Sequence, residues 1–304
     1  MSTKITVAGR FDCPHFHESV TIAKSLAESH PEQITYEVYQ FFETQWHFYL
    51  KRTENEKKGC YYEHDPEAPL IQLNGCEYVG DHNDFAKWAL FNFNYKDQNE
   101  QGLAFYHQMA KQACTKQYNN TPGRKYAFID FKWVENEQEC NSKVVFELFA
   151  DIAPRTCENF FQLCQGWTCP STQEKIGYSG SKIQRIVKGM YIQMGDIKLE
   201  KGNAKSIYGG EFADESFHVK HTEVGLLGMC RRSGLKHTNE SQFYVTLGAP
   251  LDFLDNQAVV FGRVISGFDC LERFGKLAAF EECLTNEQGQ PIDVELASAG
   301  KFSL

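Results

Sequence analysis

The sequence predicts two folded units, an α/β unit followed by a mostly-β closed antiparallel barrel with two helices. The chain has 304 residues, of which 42% are hydrophobic, and this is enough apolar material for two cores. Helical and strand patterns alternate through residues 1–114, whereas short strand patterns dominate residues 126–304. Many short strands with few helices favour a barrel, because closure removes exposed strand edges. The turn-rich stretch 115–125 between them is interpreted as a linker.

The first unit is predicted to have the order β-α-β-α-β-β-α, with one additional helix near its end. A strand at 4–9 precedes a helix that ends at Pro31, and residues 34–41 alternate as a strand does. The turn Asn74-Gly75 joins two short strands into a hairpin. This alternation of helices and strands predicts an α/β fold.

The second unit is predicted to contain eight strands and two helices. The helices cover residues 151–166 and 271–277, and we expect them at the ends of the barrel. The predicted strands cover residues 127–133, 143–149, 182–187, 190–194, 225–229, 242–246, 258–264 and 292–299.

Charge and composition exclude several functional classes. A net charge of −9 and the lack of a polybasic run give no sign of a nucleic-acid-binding surface. No stretch approaches the roughly 20 apolar residues of a membrane span, and the first residues lack a signal-peptide pattern. The eleven cysteines include no CxxC pair, so a zinc ribbon lacks its ligands. We expect a reduced cytoplasmic protein that binds other proteins and has no cofactor.

Short segments in the second half of the chain follow one another in an order that resembles the cyclophilin-type peptidyl-prolyl isomerases. The resemblance covers about the last 180 residues. The segments begin at Phe146 (FELFADIAPRTCENF), Gln184 (QRIVKG), Gln193 (QMGD), Thr238 (TNESQF) and Val259 (VVFG).

The resemblance implies that this unit rotates the peptide bond before proline, whose barrier is about 18–20 kcal/mol. Arg185 occupies the position of the family's catalytic arginine, and a guanidinium can direct fixed N–H donors at the prolyl nitrogen. Such a donor is effective where charge shifts in a site shielded from water. Gln193 and Gln242 match the two pocket glutamines of the family, and Leu254 matches a pocket leucine.

Other positions of the implied proline pocket depart from the family. Buried without a partner, the hydroxyl of Tyr244 would cost about 1–3 kcal/mol. We therefore expect weak or absent turnover, although the retained Arg185 leaves a working isomerase as the alternative. The departures are Gln184 for histidine, Met190 and Tyr191 for phenylalanine and methionine, Tyr244 for phenylalanine, Phe253 for tryptophan and Ala258 for histidine.

The first unit resembles the glutaredoxins, a family with the thioredoxin-like fold, at Cys13-Pro14 and at Ala68-Pro69. The resemblance implies an activated Cys13 thiol at a helix N-terminus, a cis peptide before Pro69 and an Arg10 side chain near bound glutathione. Phe16 replaces the second motif cysteine, and Asp81 places a negative charge where the carboxylate of glutathione would bind. We interpret Cys13 and Pro69 as a redox remnant, with glutathione-linked thiol chemistry as a second alternative function.

Cys13, His15 and His17 could suggest a metal site, but alternating ligands at a helix start point to different faces. We therefore predict no metal there.

The pairing of the two modules resembles a divergent group of cyclophilins, which implies an inactive isomerase and an association with motile cilia and radial spokes. The leading hypothesis is a protein-binding subunit of an axonemal assembly. The loop 231–240 carries Arg231, Arg232, Lys236 and His237, and it could hold an acidic or proline-containing partner segment or remain a solvated loop.

Overall fold

The structure, a computed structural model, divides into two compact units, one ending near residue 121 and the other beginning at Pro122. In the described part of the chain, no helix is both long and apolar enough to cross a membrane. The described residues are 2–56, 65–97, 99–119, 122–135, 137–170, 172–197, 205–232, 234–280, 283–284 and 293–303.

The first unit is an α/β layer whose sheet has the strand order β2-β1-β3-β4, with β1 parallel to β2 and antiparallel to β3. The element order agrees with the prediction. Its elements are β1 (Thr3–Arg10), α1 (Pro14–Ser29), β2 (Ile34–Phe41), α2 (Glu43–Glu56), β3 (Leu70–Leu73), β4 (Glu77–Gly80), α3 (His82–Phe93) and α4 (Leu103–Asn119).

Helix α4 continues to Asn119 and so includes residues 115–119, which the sequence assigned to the linker. The reason is packing by an aromatic side chain near its end. The ring of Tyr118 lies 6.1 Å from that of Phe11 and 6.0 Å from that of Phe42. This contact gives the last turn of the helix an apolar anchor, which the polar composition of the stretch did not reveal.

Helices α1 and α3 pack together over the sheet. Helix α1 begins with Pro14, whose fixed φ suits a first helical position, and buries Phe16 and Ala23. Helix α3 begins after Asp81, whose carboxylate accepts hydrogen bonds from the backbone N–H groups of its first turn. It adds Phe85 to the same buried cluster. The first turns of the two helices are therefore held firmly.

The second unit is a closed barrel of eight strands in the order β10-β12-β11-β13-β6-β5-β16-β9, with antiparallel pairing throughout. It confirms the predicted barrel with two helices. The elements are β5 (Arg124–Glu135), β6 (Gln138–Phe149), α5 (Pro154–Gln165), β7 (Trp167–Thr168), β8 (Lys175–Ile176), β9 (Ser181–Val187), β10 (Tyr191–Met194), β11 (Leu226–Met229), β12 (Phe243–Thr246), β13 (Val260–Ser266), α6 (Phe268–Leu277), β14 (Ala278–Phe280), β15 (Cys283–Leu284) and β16 (Val294–Lys301).

Each helix of this unit packs a phenylalanine against the strands. Phe160 of α5 is fully buried, and its ring lies 5.0 Å from that of Phe243 and 5.7 Å from that of Phe146. Phe274 of α6 lies edge-on to Trp133 at 5.0 Å. Aromatic packing of this kind contributes more than its buried area alone. The helices thereby fix the strands that carry the candidate site.

One row of cross-strand partners runs across four neighbouring strands. Arg185 on β9 pairs with Gln193 on β10, which pairs in turn with Tyr244 on β12. Tyr244 pairs with Gly228 on β11. Directly opposed residues lie on the same face of a sheet, so the register places all four positions on one surface.

Candidate functional site

A cavity of about 570 Å³ opens beside this row of residues. Its lining includes positions from β9, β10, β12 and the short turn before β13. Seven of the ten residues predicted for the site line it, namely Arg185, Tyr191, Gln193, Gln242, Tyr244, Leu254 and Ala258.

The other three predicted residues lie outside this lining. Gln184 lines a separate cavity of about 310 Å³, where its side-chain oxygen accepts a 3.3 Å hydrogen bond from the backbone N–H of Asp196. Successive side chains of a strand point to opposite faces, so Gln184 and Arg185 diverge. Met190 lies in the turn between β9 and β10, and Phe253 is 50% exposed. The cavity therefore lacks two walls that the sequence assigned to it.

Two glutamines form an ordered polar edge of the cavity. The amide nitrogen of Gln193 donates to the oxygen of Gln242 at 2.7 Å, and the amide nitrogen of Gln242 donates to Asp196 at 2.9 Å. A carboxylate only accepts, so Asp196 fixes the orientation of both amides. Half-buried Arg185 lies beside them with a charged, planar donor group. The arrangement can present N–H donors to a carbonyl or to an amide nitrogen.

The hydroxyl of Tyr244 is paired, which corrects the expectation of an unpaired phenol. It donates to Nε2 of buried His221 at 2.7 Å, and Nδ1 of His221 donates to Asp255 at 2.8 Å. The carboxylate of Asp255 also accepts from the backbone N–H of His221 at 2.9 Å. Because Asp255 accepts at Nδ1, the proton of a neutral ring lies there and Nε2 is free to accept from the phenol. The polar atom that would have weakened the pocket is satisfied behind its wall.

Burial and these hydrogen bonds set the protonation states of Tyr244 and Asp255. Burial raises the pKa of Tyr244 well above its ordinary value, so the phenol remains a donor near neutral pH. Desolvation alone would raise the pKa of Asp255, but the hydrogen bonds from His221 outweigh it and hold that pKa below its ordinary value. Asp255 therefore stays ionised and anchors His221.

Gly228 makes room for the phenol. A Cβ at this position would lie 2.3 Å from both Cζ and the hydroxyl oxygen of Tyr244. A larger residue would displace the ring from His221. The sequence pattern assigned no role to His221, Asp255 or Gly228, because only the folded barrel brings them to Tyr244.

The mouth of the cavity carries positive charge from the loop 231–240. The guanidinium of Arg231 donates to the side-chain oxygen of Gln257, a neutral partner, at 2.7 Å. Arg232 is paired with Glu211, and the backbone N–H of His237 donates to Asp214 at 3.0 Å. Arg231 and Arg232 both line the cavity, and Arg232 and His237 contact carboxylates.

Comparison with known sequences agrees with this geometry. The family described as cyclophilin type peptidyl-prolyl cis-trans isomerase/CLD matches residues 133–300. The chain belongs to the cyclophilin family. A human protein named "Probable inactive peptidyl-prolyl cis-trans isomerase-like 6" is 31% identical over 95% of this chain and 92% of its own length. The protein of that name from Bos taurus is 32% identical over 94% of this chain and 92% of its own length.

A much longer relative matches only part of the chain. The NK-tumor recognition protein of Mus musculus is 45% identical over 47% of this chain and 10% of its own length. The matches to the isomerase-like 6 proteins extend into the first unit as well. The assignment of that unit to the glutaredoxins stays a prediction.

The geometry around Cys13 does not favour redox chemistry. The thiol lies 3.6 Å from the backbone oxygen of Glu67, and burial raises its pKa despite hydrogen bonds from the start of α1. Phe16 is fully buried, and a Cβ at Gly9 would lie 2.7 Å from its ring. The bulky core residue thus occupies the space in which the motif expects a second thiol.

Two other features implied by the glutaredoxin resemblance find no support in the described residues around Cys13. The peptide before Pro69 is trans, the default isomer, and the cis peptide recorded among the described residues is Ala249-Pro250. Arg10 bonds to Asp12 and Glu67, with nitrogen–oxygen distances of 2.8 Å and 2.9 Å. Its charge is compensated by these carboxylates, which compete with a bound anion.

Cys13, His15 and His17 point in different directions, as the sequence predicted. Nε2 of buried His17 donates to the backbone oxygen of Phe11 at 2.7 Å. His15 turns instead toward Glu18 on its own helix and His82 on α3. This last grouping was not predicted, although the spacing of His15 and Glu18 places them on one helical face.

Replacing Tyr244 tests the buried chain of hydrogen bonds. We expect Tyr244→Phe to lower the stability of the barrel by about 1–3 kcal/mol, because Nε2 of His221 loses its partner while buried. Urea denaturation measures the change. Tyr191→Phe is the matched control on the same sheet and should have a smaller effect, since Tyr191 is half-exposed. An equal effect of the two substitutions would contradict the assigned role of Tyr244.

The raised pKa of Cys13 predicts a slow thiol. The thiolate population near pH 7 should be smaller than that of an ordinary cysteine and should grow only as the pH rises. Mass-spectrometric mapping should show slower alkylation of Cys13 than of exposed Cys76, the internal reference. We also expect no turnover of glutathione mixed disulfides. Glutathione-dependent activity that is lost in Cys13→Ser would show the redox alternative to be correct.

Proposed function

We propose that this cyclophilin-like protein is a protein-binding subunit with weak or no isomerase turnover. One observation carries the proposal. The cavity retains Arg185 and both glutamines, while Met190 and Phe253, aligned with the aromatic walls of the family, lie outside its lining. Arg185 can still donate hydrogen bonds to a bound peptide. Without an enclosing apolar wall, however, the cavity does not hold the proline ring in place while the peptide bond rotates, so it stabilises the transition state less.

The chemistry of the mouth supports a partner with acidic or proline-containing extended segments. Arg231 lines the cavity with a neutral hydrogen-bond partner, and Lys236 is exposed on the same loop. The chain as a whole carries a charge of −9, so this loop differs in sign from its surroundings. Opposite charge at the mouth would steer an acidic segment and fix its register.

We propose a cytoplasmic location within a ciliary assembly, such as the axoneme or its radial spokes. The support for this placement is the resemblance to a divergent group of cyclophilins. Partner identification in ciliated cells is the direct test.

A working isomerase is the second candidate. The observation that favours it is the register in which Arg185 opposes Gln193 beside an open cavity. Thiol oxidoreductase activity through Cys13 is the third candidate, and the raised pKa of that thiol counts against it.

An isomerase assay separates the first two candidates. The full chain should isomerise a proline-containing test peptide at least about tenfold to a hundredfold more slowly than an unaltered cyclophilin, because the loss of even one apolar wall is worth about 1.5–3 kcal/mol. Met190→Phe combined with Phe253→Trp should raise the rate. Arg185→Ala should remove the residual rate, whereas the control Arg273→Ala, on α6 and outside the cavity lining, should not. A rate equal to that of an unaltered cyclophilin would establish the isomerase candidate instead.

Salt-sensitive association tests the binding role. In extracts of cells that express it, the protein should co-sediment with a large assembly and dissociate as salt screens its charges. Arg231→Glu should release it, since the neutral partner of Arg231 leaves its charge available to a ligand. Lys24→Glu is the matched charge reversal on the first unit and should not.

Two outcomes would contradict the binding role. One is monomeric behaviour of the wild-type protein in those extracts. The other is release by Arg185→Ala alone, which would return the proline pocket to the centre of the function.

A further inference from the structure

Helices α1 and α3 of the first unit bring three metal-ligating side chains together. His15 and Glu18 lie one turn apart on α1, and His82 is the first residue of α3. One ligand atom from each lies within 4.8 Å of the other two. Nδ1 of His15 lies 3.2 Å from the carboxylate of Glu18, and the rings of His15 and His82 stack at 3.7 Å.

The backbone that carries these side chains is rigid. Phe16, next to His15, and Phe85, one turn after His82, are buried in the same hydrophobic cluster. The carboxylate of Asp81 accepts from the N–H groups of Asn83 and Asp84 at 2.8 Å and 3.1 Å, which fixes the turn containing His82. Ligands carried by packed helices hold their geometry better than ligands carried by loops.

One ring nitrogen in this cluster is unsatisfied. Nδ1 of His82 is enclosed from solvent and has no hydrogen-bond partner among the described residues. Buried polar atoms are normally paired, so an exception indicates a missing ion, water or other ligand. The atom belongs to a residue already grouped with another imidazole and a carboxylate.

We propose that His15, Glu18 and His82 bind a divalent transition metal of the zinc class and leave one coordination position open. Two imidazoles and one carboxylate are a donor set that suits zinc, and imidazole also suits copper and nickel. The ligand atoms around a tetrahedral zinc ion are about 3.3 Å apart. Rotation of the three side chains would bring their ligand atoms, which now lie within 4.8 Å of one another, to this distance and would tilt the two stacked rings.

The charges around the cluster accommodate a cation. The positive ends of the dipoles of α1 and α3 disfavour a cation at this place, and three nearby carboxylates offset that effect. Glu18 supplies a formal negative charge as a ligand, and two more come from Asp81, which caps α3, and Asp84 in the first turn of that helix. The site lies entirely in the first unit, so its test does not depend on the proposed function of the barrel.

Isothermal titration of the untagged full chain with zinc chloride tests the proposal. We expect one saturable site and a rise in the melting temperature of the wild-type protein, because an ion that binds only the folded state stabilises it. His82→Gln and Glu18→Gln should each weaken binding by about tenfold or more, with circular dichroism showing an intact fold. His107→Gln is the matched control, because His107 is exposed on α4 of the same unit, and this substitution should leave zinc binding unchanged.

Cobalt substitution distinguishes metal binding at this site from metal binding by cysteine thiolates, which are also a common class of zinc ligand. The cobalt protein should lack the intense charge-transfer absorption of a thiolate ligand, and Cys13→Ser should bind zinc as the wild type does. No saturable site, a thiolate spectrum, or unchanged affinity in folded His82→Gln and Glu18→Gln would each overturn the proposal. Of these two variants, Glu18→Gln changes a partly exposed side chain, so it keeps the test valid if His82→Gln does not fold.

Discussion

The hydrogen-bond register of β9, β10, β12 and β11 is the constraint on which the candidate site depends. It aligns Arg185, Gln193, Tyr244 and Gly228 across four strands, and barrel closure holds that alignment because no strand edge can slip. A shift of one residue would turn every one of these side chains to the opposite face. The buried packing of Phe160 against the strands secures the same register from within.

Within this frame the change to tyrosine at position 244 depends on its neighbours. The phenol needs space, which Gly228 provides, and it needs an acceptor, which His221 provides because Asp255 holds the ring proton at Nδ1. Four residues from separate segments thus act as one unit. Such a network stabilises the wall behind the cavity when every member is satisfied, and it makes each single substitution costly.

The barrel retains the architecture of the cyclophilin family, while the residues around its reactive position differ from the family pattern. Arg185 remains, but the expected aromatic walls lie outside the cavity lining. In the α/β unit, Phe16 stands where the resemblance to the glutaredoxins implies a second thiol, and carboxylates pair with Arg10. A fold can outlast its chemistry because packing constrains the core and leaves the site free to vary. The metal site proposed at His15, Glu18 and His82 would use the surface of the first unit for a different ligand.

The sequence by itself determined the closed barrel with two helices, because strand periodicity and ordered motifs are local properties of the chain. Seven of the ten site residues that it predicted line the cavity. Gln184, Met190 and Phe253 lie outside the lining of this cavity, since alignment gives a position and not the direction of a side chain. Only the tertiary structure decided that the Tyr244 hydroxyl is paired and that His82 lies against His15. Tyr244 and His221 are 23 residues apart, and contacts at such separation depend on how strands and helices pack.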